Sequence, residues 1–459
     1  MAGIGFELRK IYGRKTLASN IWGSFYATMT VIGPSVLFSS LLLLLMLFMD
    51  RSGLPELERK FLISSLTYIF LTSVLATAVL NTVVSRFISD CIFEKRDEDL
   101  ASSVFGVLTI TAILSGAVML GLCIGMYLHD RIPLYFLVLY YILGVLSAAA
   151  YTLITYVSTL KRYSYVTGSY FGGMAVGALC FVLFYFVLHM HLILAAYLAI
   201  TIAFFIIDFM LLFLCMRAFG KRNNRFFKFM KYIVRFPKLV ISGGCYMLGF
   251  YITSVIYWNL SELSEQVSIF RTAPTYDLAM FLAIVVNMPA LVVFVVRTET
   301  SFYEKYVSYL SALNKGGYNL IEKERQNMSN IINNQLFFIY EVQLIITIVL
   351  VCIVNIVFPY INGSTHVLNM FMVLAMGIYC TFSMYFTVIF LYYFDDQGGS
   401  CYGPVVFLIV TTALALLFCF MGKPYYPVAI LVGAILGWIV TFIRLKYRLK
   451  HLNEFLMCK

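Results

Sequence analysis

Residues Arg217 to Lys238 read RAFGKRNNRFFKFMKYIVRFPK and lie near the middle of a 459-residue chain. The stretch carries eight basic residues (Arg217, Lys221, Arg222, Arg225, Lys228, Lys231, Arg235, Lys238) and no acidic one, with long apolar runs on either side. Lys and Arg are retained on the cytoplasmic side of multispanning proteins, so this segment is expected to be a cytosolic loop dividing the chain into halves. Its Phe and Tyr residues alternate with the charges, which suits contact with anionic headgroups or with an acidic partner. Topology alone would also explain the charge.

Composition agrees with a membrane setting. Hydrophobic residues make up 62% of the chain and charged ones 12%, against roughly 25% charged in soluble domains. The net charge of +11 sits between apolar runs. Nucleic-acid binding needs basic residues clustered on a soluble surface, and that class is excluded.

Working outward from the basic stretch, six apolar runs precede it: Trp22 to Met49, Phe61 to Val84, Ala101 to Leu128, Pro133 to Leu160, Tyr165 to Leu188 and Leu192 to Met216. Six follow: Leu239 to Trp258, Asp277 to Val296, Leu336 to Phe358, Val367 to Phe394, Tyr402 to Met421 and Val428 to Ile443. Most reach the roughly 20 residues a spanning helix needs. The expected fold is an all-α polytopic membrane protein with twelve transmembrane helices in two six-helix lobes, residues 1–216 and 239–459. Residues 217–238 form the linker, and 297–335 a cytoplasmic helical segment of the second lobe.

Charge tests this threading. With the N-terminus inside, only six of the 33 Lys and Arg fall outside (Arg51, Arg59, Lys60, Arg131, Arg271, Lys423) and 27 fall inside. Both termini are therefore expected in the cytoplasm, and the protein in the cytoplasmic (inner) membrane. Ile4, Leu8, Ile11 and Tyr12 recur at helical spacing opposite Arg9, Lys10, Arg14 and Lys15, which predicts an interfacial N-terminal helix. Pro34 predicts a kink in the first span.

No catalytic residue, metal site or cofactor is expected. The ten cysteines lie in spans or cytoplasmic segments without a CxxC pair, so they are expected to be unpaired. His189 and His191 sit at span ends, and Asp395-Asp396 in DDQGGS reads as a solvated turn. The longest segment outside the spans, Arg297 to Gln335, has 39 residues, too few for an independent catalytic core. Gly220-Lys221 and Gly422-Lys423 lack the rest of a phosphate-binding loop.

An even number of spans per half gives both halves the same orientation, the parallel-repeat arrangement of some transporters, with the path between halves. The sequence trace of a repeat is slight: Gly23-Ser24-Phe25-Tyr26 and Gly243-Gly244-Cys245-Tyr246.

The opening MAGIGFELRK resembles the start of the PelG family of membrane proteins of Pel exopolysaccharide assembly. Thr272 to Asn314 is similar as well, around Ala273-Pro274-Thr275-Tyr276-Asp277, around Pro289 and at the Arg297-Thr298-Glu299-Thr300 turn. The resemblance spans the chain. It implies a twelve-helix, two-lobed, flippase-like exporter acting with a cytoplasmic glycosyltransferase and a cyclic-di-GMP receptor. Polymer export is thus an expectation from resemblance, not from spacing.

Phe302, Tyr306, Tyr309, Leu310 and Leu313 recur at helical intervals before Gly316-Gly317, predicting an amphipathic helix that either docks a cytosolic partner or lies on the bilayer. Ionisable groups in or near spans are costly and mark path candidates: Asp208, Arg86 and Glu341, with Arg271 and Asp277 near the outer mouth as a gate pair or a loop salt bridge. Arg86 and Glu341 also suit snorkelling. Asn81 and Asn287 could bond a sugar hydroxyl or another helix. Two function classes remain: a transporter of a polysaccharide or lipid-linked glycan, and a noncatalytic membrane scaffold for a synthase complex.

Overall fold

The computed structural model describes residues 51–457 except 161–162, 298–301 and 362–363, together with part of 33–49. The expected N-terminal interfacial helix, Pro34, the Gly23 to Tyr26 trace, the turn at Thr298 to Thr300 and much of the first span lie outside the described residues. Among the described residues, eleven helices are long and apolar enough to cross a membrane. They coincide with the second to twelfth runs read from the sequence.

The helices are α1 (Glu56–Phe93), α2 (Asp97–Asp130), α3 (Leu134–Thr159), α4 (Tyr163–Val182), α5 (Leu192–Phe219), the short α6 (Met230–Arg235) and α7 (Pro237–Leu260). A two-stranded antiparallel hairpin follows, β1 (Glu265–Val267) and β2 (Phe270–Thr272). Then come α8 (Pro274–Asn287), α9 (Pro289–Arg297), α10 (Tyr303–Lys315), α11 (Tyr318–Val357), α12 (Thr365–Tyr393), α13 (Gln397–Met421), α14 (Val428–Lys450) and α15 (Leu452–Met457). Local chemistry sets these bounds. Pro237, Pro274 and Pro289 each open a helix, where a missing N–H costs nothing. Asp97, Glu98 and Asp99 in the first turn of α2 oppose the helix dipole. The run Asp277 to Val296 is split at Met288, because Pro289 cannot continue the hydrogen-bond ladder.

The chain folds as two compact units. An N-terminal unit comprises Gly33–Gly244 and Glu265–Thr272; a C-terminal unit includes Cys245–Ser264 and Ala273–Lys459. This corrects the expected boundaries 216 and 239 in two respects. The basic segment is part of the N-terminal unit, because Asp99 of α2 accepts from Lys228 Nζ at 2.5 Å and from Asn223 Nδ2 at 2.6 Å. The hairpin, although it follows α7, also belongs to the N-terminal unit. Its Phe270 is fully buried among Phe61, Tyr68 and Tyr140, and Lys60 pairs with Glu265 at 2.9 Å.

Side-chain hydroxyls tie the helices of the N-terminal unit: Ser73 to Ser147 at 2.5 Å, Thr111 to Thr152 at 3.1 Å and Ser103 to Tyr156 at 3.0 Å. Such bonds matter within a membrane because hydrocarbon offers no alternative partner. Close glycine contacts between helices occur in both units. In the N-terminal unit, Gly173 of α4 lies so close to α5 that a Cβ would stand 2.8 Å from the Ala203 carbonyl. In the C-terminal unit, Gly403 of α13 lies against α14 with the Gly437 carbonyl 2.8 Å from the same point. Each unit thus closes its last helix pair through a glycine contact.

Candidate functional site

Asp208 is the seventeenth of the 28 residues of α5. About 16 Å of helix rise separate it from Phe219, which puts it inside the hydrocarbon region of any bilayer that α5 spans. It is 9% exposed, and neither carboxylate oxygen has a hydrogen-bond partner. Its neighbour Ile207 fills the contact with Gly173 of α4, which fixes the face on which Asp208 stands. Buried Tyr170 of α4 lies within electrostatic reach of the carboxylate. An unpaired buried carboxylate is expensive and is kept neutral or supplied with a cation. That cost, met nowhere among the described contacts, singles out Asp208 from the path candidates.

The other candidates are engaged or exposed. Arg86 pairs with Asp90 one turn on, at 3.3 Å, and its guanidinium lies 5.6 Å from the Phe236 ring. Glu341 stands on the exposed side of α11. Arg271 is exposed on β2 of the N-terminal unit, where its backbone N–H donates to Tyr68 Oη at 3.2 Å. Asp277, at the start of α8, finds its partners within the C-terminal unit. Its carboxylate accepts from Trp258 Nε1 at 2.9 and 2.8 Å and from the Ala273 N–H at 3.1 Å. A helix-capping N–H and an indole N–H thus serve the carboxylate.

Reasoning from sequence missed a polar column on α11. Tyr340, Gln343 and Thr347 fall at i, i+3 and i+7, all buried, and face α8 and α12. Asn287, the last residue of α8 before the Pro289 break, accepts from Gln343 Nε2 and Thr347 Oγ1, both at 3.0 Å, and donates to the Ala375 carbonyl at 3.0 Å. Tyr340 exchanges a bond with Thr387 at 2.7 Å and accepts from Trp438 Nε1 at 3.3 Å. Gln343 Oε1 has no hydrogen-bond partner. The helical spacing of these polar residues within an apolar run was the available signal. Asn287 bonds other helices, one of the two roles anticipated for it.

The proposed docking helix is corrected. α10 buries Phe302 and Tyr309 completely against its own unit. The Phe302 ring centroid lies 5.1 Å from those of Phe390 and Tyr393, and Tyr306 donates to the Tyr393 carbonyl at 3.3 Å. Tyr309 donates to Asn453 Oδ1 at 2.9 Å, and burial pushes its phenol up to about 12. Leu310 and Leu313 are half-buried. The face expected to receive a partner is core; Val307, on the other side, is 45% exposed.

The Asp395-Asp396 turn is likewise not a solvated loop. Asp396 is 6% exposed, caps α13 through the Gly399 N–H at 3.0 Å, and accepts from Arg444 Nε at 2.7 Å and from the second Arg444 nitrogen at 3.1 Å. Burial pushes its carboxyl up, but the Arg444 guanidinium and the capping N–H more than offset this and hold it below the usual carboxylate range. An apolar recess of about 280 Å³ on the N-terminal unit, bordered by Phe48, Phe181 and Phe186, is lined by apolar side chains, a poor match for a sugar.

Eleven long apolar helices gathered into two compact units define an all-helical polytopic membrane fold. The chain shares its fold with an outward-facing multidrug resistance MATE family transporter of the MOP superfamily, at 14% identity and a TM-score of 0.66 over 93% of this chain and 96% of that one. A MOP superfamily transporter from Pyrococcus furiosus is similar at 13% identity and a TM-score of 0.63, over 93% and 96%. The Vibrio cholerae MATE transporter VcmN is similar at 10% and 0.61, over 97% and 98%. The model of one family, PelG, described as "Putative exopolysaccharide Exporter (EPS-E)", matches residues 1–456, and the chain belongs to that family. No curated protein matches it.

Proposed function

We propose that this protein translocates an exopolysaccharide of the Pel type across the cytoplasmic membrane, with its basic loop and both termini in the cytosol. Family membership and the transporter fold support the general reading. The observation that carries it to a residue is Asp208, a carboxylate buried in mid-span without a hydrogen-bond partner. A scaffold has no need of such a group, whereas a transporter can use its neutralisation by a proton or another cation to bias one conformation over another. In this reading Asp208 couples translocation to a cation, and a cytoplasmic glycosyltransferase with a cyclic-di-GMP receptor delivers the growing polymer.

Purified protein reconstituted alone into vesicles provides the test. Uptake of the isolated exopolysaccharide, protected from added glycoside hydrolase, is the expected result. Vesicles that protect no more polymer than empty ones, while the same protein still assembles its partners, would leave a scaffold. Protection of a lipid-linked oligosaccharide but not of polymer would make it a flippase of the precursor.

A further inference from the structure

The basic segment is held in place more firmly than a connection between spans requires. Ser102 of α2 donates to the Asn223 carbonyl at 2.5 Å and accepts from the Asn223 N–H at 2.7 Å. Gly106 of α2 packs against the Phe226 carbonyl, where any Cβ would collide, and the Arg222 guanidinium lies 5.6 Å from the Phe105 ring. Phe229 is fully buried and Phe236 nearly so, with Phe87 5.2 Å from Tyr232. Lys228 is consumed by Asp99 at 2.5 Å.

This anchoring fixes the height of the segment. Phe105 and Gly106 belong to the apolar run of α2 that begins near Ala101, so the loop lies along the helix where headgroups give way to acyl chains. What remains outward-facing is of two kinds. Phe227 (49% exposed), Met230 (46%) and Val234 (83%) stand at i, i+3 and i+7. Lys221, Arg222, Arg225, Lys231 and Arg235 are exposed around them. Apolar side chains with a cationic surround, held at the interface, match an anionic lipid and not water.

We propose that residues 221–235 form a docking site for anionic phospholipid headgroups, with Phe227, Met230 and Val234 set among the acyl chains. Lys221, Arg225, Lys231 and Arg235 supply the charge, and Asp99, Ser102 and Gly106 hold the site rigid. Each cation near an anionic surface is worth about a fivefold gain in occupancy.

The test places the full-length protein in nanodiscs of pure phosphatidylcholine or of phosphatidylcholine with phosphatidylglycerol, and follows amide hydrogen exchange in peptides spanning 221–236. Phosphatidylglycerol should slow exchange there severalfold and leave the α12 peptides unchanged. R225Q/K231Q/R235Q, which alters only exposed side chains, should exchange at the pure-phosphatidylcholine rate in both bilayers. F227S/V234S should lose part of the protection with the charges intact. Equal exchange of the wild type in both bilayers would overturn the proposal and point to a protein as the acidic partner. Full protection in the triple variant would do the same.

Discussion

The indole N–H of Trp258 lies 2.9 and 2.8 Å from the two oxygens of the Asp277 carboxylate, so one neutral donor serves both. The Ala273 N–H completes the set at 3.1 Å. Asp277 is therefore a capping group that ties the start of α8 to α7, with its donors supplied inside its own unit. Exchanging the charges as R271D/D277R should restore nothing beyond D277R alone. W258F should lower stability by about 1–3 kcal/mol, the usual cost of depriving a buried acceptor of its donor. Thermal unfolding of purified variants in detergent reads both; recovery in the double exchange would reinstate the gate pair.

Tyr309 and Val307 are two residues apart on α10 and make opposite predictions. Y309A removes a fully buried ring and its bond to Asn453, and should cost about 3–5 kcal/mol. V307E adds charge to an exposed position and should leave the thermal midpoint within a degree or two. If a cytosolic partner binds this helix, V307E is the variant that should release it. Co-purification with the glycosyltransferase, compared at equal membrane abundance, distinguishes release from misfolding.

Asp396 gives the protein a specific acid sensitivity. Its carboxyl is held below the usual range in the folded state, so its contribution is complete above the ordinary aspartate pKa of about 3.9 and is lost as pH falls through the folded value. R444Q leaves a buried carboxylate with half its partners gone and should destabilise by about 3–5 kcal/mol at neutral pH. D396N should flatten the fall in thermal midpoint as pH drops below about 4. A wild-type slope in D396N would assign acid lability to other carboxylates.

The spans were legible because about twenty consecutive apolar residues have few other uses. The end of the amphipathic helix was legible at Gly316-Gly317, whereas the spans read from Leu239 and Asp277 begin earlier, at Pro237 and Pro274. The pairing of elements was not legible. Nothing local in the Phe270-Arg271-Thr272 stretch says that Phe270 is buried beside Tyr68 and Tyr140, some two hundred and one hundred thirty residues away in the chain. The amphipathic pattern of Phe302, Tyr306 and Tyr309 correctly gave a helix with one apolar face. Periodicity cannot tell whether such a face meets a partner or its own core, and here Phe390, Tyr393 and Asn453 cover it. Asp208 was legible because a carboxylate in an apolar run is rare; that Arg86 has a partner in Asp90 followed from i,i+4 spacing and was overlooked.

The transport role assigned to Asp208 is tested most directly by D208N. The amide keeps the side-chain volume and removes a charge that has no hydrogen-bond partner, so the variant should insert normally and unfold at the same temperature or higher. Secreted exopolysaccharide, measured per unit of membrane-inserted protein, should nevertheless fall at least about tenfold, the effect of about 1.4 kcal/mol of lost coupling. D208E, which retains a titratable carboxyl, should recover part of the output. Secretion by D208N at the wild-type level, with unchanged abundance and partner assembly, would contradict a role for Asp208 in translocation.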